Sequence, residues 1–397
     1  MSKPTPAPMT PLSYSNLGSS SAASRRKLEW ALLSGGLAFL LIVIPTLYGT
    51  NVMSITTVNQ LGRFLCFAIA AIGVDLIWGY CGILSLCQAM FFCFGGYAIG
   101  MHMALHAQLN AEGVPQILVN VSSEVGQISL PWFWKPFSSL GMALLLGVAI
   151  PGLAAYIFGY LAFRSRVRGV YFSIITQATV LAGCLVFRRN ETLLCGTNGL
   201  NAFKTLAGFD IYAPSTRIGM YILTVVMLAI VFLSCRYLSA SRLGRLMLAV
   251  RDNEPRLRFA GYQPVFVKVF VFTLAAVIAG IGGMLYTPQN EFIEPSVMEP
   301  VQSIMMVLWV AVGGRGLLTG AVLGTLIVKY AESFLTTKFA TAWPLFQGGL
   351  FLAVVLFMPN GVIGALKDLT ASRTSPTPTG DDDEMPESTL AVSGGKA

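Results

Sequence analysis

Three observations make the sequence read as an all-α, polytopic integral membrane protein. Apolar residues make up 55% of the 397 positions, charged residues only 11%, and the mean hydropathy is +0.69. A soluble domain solvates its surface with roughly a quarter of its residues charged. The apolar residues fall in blocks of about 20, the length a helix needs to cross a hydrocarbon core of ~30 Å. Blocks such as 31–48 and 220–233 are apolar on every face, whereas strands of a membrane barrel alternate with period two. Helices then remain as the way to satisfy the backbone in lipid. No repeat of 20–50 residues is visible, which excludes solenoids and propellers; an inverted repeat diverged beyond recognition stays open.

Residues 1–27 form a polar leader rich in Ser, Pro and Thr, predicted to be a disordered cytoplasmic segment. Arg25, Arg26 and Lys27 precede the first apolar block, which ends near Tyr48. The long leader and the lack of a small-x-small cleavage site favour an uncleaved first span. Further blocks lie near 54–78, 83–107, 138–162, 170–187, 217–236, 267–287, 301–313, 317–331 and 343–359. Together they give about 8–10 crossings, the lower counts applying if 83–107 or 301–331 is re-entrant. The basic clusters at Arg25–Lys27, at Arg164, Arg166 and Arg168, and over 236–268 then share the cytoplasmic side. The 108–137 connection and the 288–300 loop, with Glu291, Glu294 and Glu299, fall outside. A permease domain over 28–366 is thus followed by a disordered cytoplasmic tail, 367–397.

The net charge of +8 sits beside apolar blocks, as in cytoplasmic loops, and does not point to nucleic acid. The seven cysteines form no CxxC or Cys/His cluster and are read as small packing residues.

Three segments carry mechanism. In the 239–262 loop, Leu243, Leu246 and Val250 recur at helical spacing, with Arg242, Arg245 and Asp252 on other faces. Ser241 is a cap, Pro255 disfavours helix at Glu254, and Gly261 is a stop. The product is a short amphipathic helix with Gly244 exposed. It either sits in a groove of a soluble partner or lies on anionic lipid. Second, Gly79 and Gly82 break an apolar run, Ser85 and Gln88 place polar groups in it, and Gly96 and Gly100 allow close helix approach. Ser85 and Gln88 either line a solute path or tie helices together. Third, Gly316, Gly320 and Gly324, spaced by four, form a packing stripe beside Arg315, an anchor or part of a gate.

No GxxxxGK[ST] is present, so the chain does not cradle ATP phosphates, and no cofactor is expected. His102 and His106 have no evident third metal ligand. Asp75 and Glu332 lie at block edges, where side chains reach water, and are not read as proton relays.

Residues 79–96 resemble the glycine-rich Ser-Leu-Gly-Gln-Ala-x-Phe-Phe segment of branched-chain amino-acid ABC permeases of the LivM type. Residues 241–261 resemble their coupling loop; 312–324 resemble their later glycine segment, and Phe357-Met-Pro-Asn-Gly-Val their closing motif. The resemblance spans 30–366. Leu130-Pro-Trp-Phe-Trp, the 169–177 run and Thr197-Asn-Gly-Leu-Asn-Ala-Phe-Lys resemble the urea-transporting, UrtC-type branch. Cys87 and Asn360 depart from the family's usual glycine and basic residue. The resemblance implies a bacterial inner-membrane importer that includes a second permease, a pair of ATPase subunits and an extracytoplasmic solute-binding protein. Gly244, Arg245, Ala249, Arg251, Asp252, Asn253 and Glu254 would couple it to the ATPases. Ser85, Gln88, Thr197 and Asn198 suit a path for urea, which needs hydrogen bonds but no counter-charge, and no buried charge is evident in the blocks; short amides or branched-chain amino acids are the alternative substrates. A stand-alone channel or ion-coupled carrier would need intramembrane carboxylates. A lipid-modifying enzyme would need a catalytic cluster, and the sequence displays neither.

Overall fold

The computed structural model describes residues 53–107, 114–119, 130–339 (166, 168 and 202 excepted) and 345–349, with isolated positions before 53 and at 352. The expected first span, both polar tails, most of the 343–359 block and most of the 108–137 connection lie outside the described residues.

The helices follow the apolar blocks closely: α1 (Ile55–Asp75), α2 (Gln88–Leu105), α3 (Leu140–Arg164), α4 (Val170–Arg188), α5 (Pro214–Ala240), α6 (Arg242–Phe259), α7 (Pro264–Asn290), α8 (Pro300–Gly313) and α9 (Leu318–Lys338). Six of them are long and apolar enough to cross a membrane: α1 with a π-helical extension over Leu76–Tyr80, then α3, α4, α5, α7 and α9. The block at 83–107 is broken as its glycines predict. Gly82 adopts φ +71°, residues 82–87 are irregular, and α2 starts only at Gln88. A two-stranded hairpin, β1 (Thr205–Leu206) with β2 (Phe209–Asp210), lies between α4 and α5.

Helices α1, α2, α7 and α8 are the inner ones. Glycine brings α7 onto α2: a Cβ at Gly95 would strike the Gly280 carbonyl, and one at Gly283 would strike that of Phe92. Gly320 and Gly324 seat α9 against Gly313 and Trp309 of α8 in the same way. Gly316 does not belong to that stripe. It precedes α9 with φ +77°, in a turn whose left-handed backbone only glycine adopts easily. Gly96 and Gly100 do allow close approach, but their main neighbour is the loop residue Ile293, with Thr287 of α7 and Leu200.

After α7 the chain does not leave the bundle. Ile293 exchanges both backbone hydrogen bonds with Leu200 (2.8 and 2.9 Å), the Cys93 thiol lies 3.8 Å from the Glu294 carbonyl, and that of Cys184 lies 3.5 Å from the carbonyl of Pro295. The segment 291–299 thus runs inward along α2 and α4, and α8 becomes buried from Ser303 onward, while Val301 in its first turn is exposed. The periphery is formed by α3, α4 and α5, where Leu145, Leu153, Leu161, Ile174, Leu185 and Ile230 are exposed. All seven cysteines are free and buried, as packing residues should be.

Candidate functional site

The site is built where α1 ends, at the end of the bundle covered by α6. Ser241, extended, caps α6 by accepting the Leu243 N–H (3.2 Å). The helix is then interrupted at Asn253 (φ −156°, ψ 87°), whose Oδ1 accepts the Arg256 N–H (3.0 Å) and so caps a second short turn containing Pro255. The chain stops at Gly261, φ +84°. Met247, Val250 and Leu257 face inward, while Arg242, Arg245, Asp252 and Asn253 face out.

Three hydrogen bonds bind the end of α1 to its surroundings. Arg251 donates from Nη1 to the Gly79 carbonyl (2.8 Å), linking α6 to the α1 extension. Arg315 donates from Nε to the Trp78 carbonyl (3.1 Å) and lies over the Trp78 ring at 4.9 Å. The Gly316 N–H donates to Asp75 Oδ1 (2.7 Å). Burial, then the neighbouring Arg251, hold the Arg315 guanidinium below its usual pKa, against the pull of the Asp75 carboxylate. The chemistry available here is mechanical: displacing α6 pulls through Gly79 on α1, and through Asp75 on the turn that starts α9. Glu254 completes the base of α6 with Lys268 (2.8 Å) and Arg258 (2.7 Å). A cavity of about 350 Å³ lies between Arg251 and Glu254 of α6, Gly82 and Leu84 of the broken entry, and Phe163 and Lys268.

The expected coupling residues therefore divide. Arg245, Asp252 and Asn253 are outward, Ala249 is half-buried, and Arg251 and Glu254 reach back into the bundle. Gly244 is not exposed. It is buried, and a Cβ there would strike the Ser239 carbonyl, because the chain doubles back at Ser241. Arg315 is an anchor on Trp78. Asp75 does not reach water at a block edge: it is fully buried on the Gly316 amide.

The broken entry to α2 leans on α4. Ser173 Oγ–H donates to the Leu84 carbonyl (2.8 Å), and Thr176 Oγ1 accepts the Leu86 N–H (3.1 Å). Ser303 Oγ accepts the Ala89 N–H (3.3 Å). Ser85 is buried with its Oγ 3.1 Å from Cys87 Sγ. Gln88 is 1% exposed, and both its amide atoms lack a hydrogen-bond partner among the described residues. Thr197 and Asn198 do not join them. They are exposed in a turn beyond the far end of α4, a helix of 19 residues and so about 28 Å long.

Ser173, Thr176 and Ser303 were not singled out by sequence, although hydroxyls three apart in an apolar helix are a usable signal. Charge within the spans was missed as well. Lys329 of α9 is 8% exposed, sits 4.4 Å from the Phe67 ring and 4.9 Å from that of Trp309, and pairs with Glu332 (2.9 Å). With Asp75, this overturns the expectation of no buried charge. His102 and His106 turn their Nδ1 atoms to the carbonyls of Phe137 and His102.

Residues 56–357 match the family model described as branched-chain amino acid transport system / permease component. The chain is 22% identical to the high-affinity branched-chain amino acid transport system permease protein LivM of Escherichia coli, over 82% of this chain and 73% of that protein. It is 22% identical to the corresponding permease protein BraD of Pseudomonas aeruginosa, over 77% of this chain and 94% of that one. The fructose import permease protein FrcC of Rhizobium meliloti is 25% identical over 54% of this chain and 60% of its own. No solved structure matches.

Proposed function

The chain belongs to the family of branched-chain amino acid transport system permease components, and we infer, from its own residues rather than from that membership, that it passes urea across the membrane for an ATP-driven importer. It is a permease subunit of an ATP-binding-cassette transporter, a multi-pass inner-membrane protein and not an enzyme. Permeases of this family work with ATPase and solute-binding partners. We assign the ATPase contact to the outward side of α6, with Arg242, Arg245, Asp252 and Asn253, and the α6 end to the cytoplasm, because Arg236, Arg242, Arg245, Arg256 and Arg258 gather there. A second, related permease completes the membrane part, and the solute-binding protein docks at the far end.

The observation that carries the coupling role is the Arg251 bond to Gly79, which joins α6 to the chain entering α2. The observation behind urea is Gln88. Its buried amide has donors and an acceptor unused, matching the carbonyl and amino groups of a neutral amide. The likeness of 130–134, 169–177 and 197–204 to the urea branch points the same way. Branched-chain amino acids are the second reading, favoured by the LivM and BraD relatives.

Uptake of labelled urea and labelled leucine by the complete importer in proteoliposomes separates the two. Uptake of urea with no leucine uptake is expected; the reverse moves the chain to the second reading. Gln88→Leu should lower urea uptake about ten- to a hundredfold while ATP hydrolysis persists, if the lost bonds fall at the highest barrier. Unchanged uptake with a lowered melting temperature makes Gln88 a packing residue.

A further inference from the structure

The far end of the bundle, opposite α6, holds a second group of unused polar atoms. Asn59 of α1 and Gln289 of α7 are 8% and 3% exposed. Asn59 donates from Nδ2 to the Gln289 carbonyl (2.9 Å), and Gln289 donates from Nε2 to Thr224 Oγ1 (2.8 Å) and the Leu285 carbonyl (2.9 Å). Both amide nitrogens have partners, yet Asn59 Oδ1 and Gln289 Oε1 accept nothing among the described residues. One turn along α1, Arg63 donates from Nη1 to Asn290 Oδ1 (2.9 Å), while its buried Nε has no partner among the described residues. Gly62 lies between them, and a Cβ there would strike Gln289 Oε1, so α1 is kept bare where Gln289 approaches.

These atoms form a set. Two acceptors and one cationic donor, all unpaired among the described residues, lie on successive turns of α1 and at the end of α7, within apolar spans. Burying such groups unpaired costs free energy, and polar groups inside spans mark solute pathways. Packing alone would be served as well by leucine or methionine at 59 and 289. The set's chemistry is asymmetric: a ligand must offer an oxygen to Arg63 and N–H donors to Asn59 and Gln289. The positive guanidinium disfavours a cation.

We propose that Asn59, Arg63 and Gln289 form a far-end subsite for a small neutral carbonyl diamide. Its carbonyl oxygen accepts from Arg63 Nε, and its amino groups donate to Asn59 Oδ1 and Gln289 Oε1. The proposal rests on the reading of the chain as a urea permease. Gln88, beside the α6 end, would be the second station.

The test is urea uptake by the complete importer with Asn59→Leu and with Gln289→Met, read as KM and maximal rate. Competition by N,N′-dimethylurea, which keeps the carbonyl and loses half the N–H donors, is measured alongside. Asn59→Leu should raise KM about tenfold with ATP hydrolysis retained, and the preference for urea over its dimethyl derivative should fall by a similar factor. Unchanged KM and preference, with only a shifted melting temperature, overturn the subsite. If neither variant assembles, alkylation of Gln60→Cys, half-buried beside Asn59, decides. Urea at uptake-saturating concentration should slow it severalfold, and no slowing overturns the proposal. A wild-type importer that carries leucine and not urea defeats the underlying reading instead, a result distinct from a wild type that carries urea with indifferent variants.

Discussion

Helices α1 and α3 are both long, apolar spans, yet they live in different solvents. In the most apolar window of α1, 78% of residues are buried inside the protein; in that of α3, 28%. Hydropathy does not separate them. What does is the kind of side chain the helix carries besides its apolar ones. Along α1 come Asn59, Gln60, Arg63 and Asp75, each hydrogen-bonded to another element. Along α3 come Leu145, Leu153 and Leu161, which are exposed and face lipid. The inner spans are held by glycine contacts and polar bonds, because lipid supplies no hydrophobic drive to press helices together. The outer spans need only be greasy.

The largest test of that contrast is a bulky residue at a glycine. Gly283→Leu, which drives a side chain into the Phe92 carbonyl, should cost about 3 kcal/mol or more, read as lost folded yield and a fall in melting temperature. Gly219→Leu, where nothing lies within 4 Å, should stay within about 0.5 kcal/mol. Equal effects would erase the distinction between core and belt.

A smaller effect is expected at the α6 junction. Arg251→Ala removes a charged donor from the Gly79 carbonyl and should lower uptake per ATP hydrolysed about tenfold, with ATPase co-purification intact. Arg164→Ala, whose partner Tyr160 lies on its own helix, is the control and should leave coupling unchanged. Loss of ATPase binding in the Arg251 variant would make that residue a docking contact rather than a transmitter.

On the belt, Leu153→Asn should cost about 1–3 kcal/mol because the amide faces lipid, while Leu153→Ala should be nearly silent. Thermal unfolding in nanodiscs compares the two. The smallest effect is none at all. Burial pushes the thiols of Cys81, Cys87 and Cys195 up to about 12, so at pH 7.5 they remain protonated and enclosed. Maleimide should label them only after denaturation; rapid labelling of the folded protein would mean that the broken entry to α2 opens.

The spans were legible because their signal is local: a block of apolar residues needs no knowledge of its neighbours. So were the cap at Ser241, the break at Gly82 and the stop at Gly261, each dictated by one residue's own backbone or hydroxyl. What was illegible depended on partners far away in the chain. Gly244 looks free in sequence and is covered by the turn at Ser239. Asp75 looks like a block edge until the Gly316 amide, 241 residues on, is seen to sit on it. Lys329 looks like an interruption of an apolar helix, and the aromatic rings beneath it come from α1 and α8. The four residues expected along a solute path do not meet: Ser85 and Gln88 are buried at the entry to α2, while Thr197 and Asn198 are exposed at the other end.

The Lys329–Glu332 pair has an electrical consequence. A single charge carried across a membrane potential does work of about 2.3 kcal/mol per 100 mV. The lysine and the glutamate lie within one turn of α9, 2.9 Å apart, and travel together. Whatever axial shift α9 makes during a transport cycle, the pair contributes almost no gating charge to it. The pair gives the field nothing to push on, so in a Lys338→Gln variant, which removes the other charge of α9, an imposed potassium diffusion potential should leave the helix's step of the cycle unaltered.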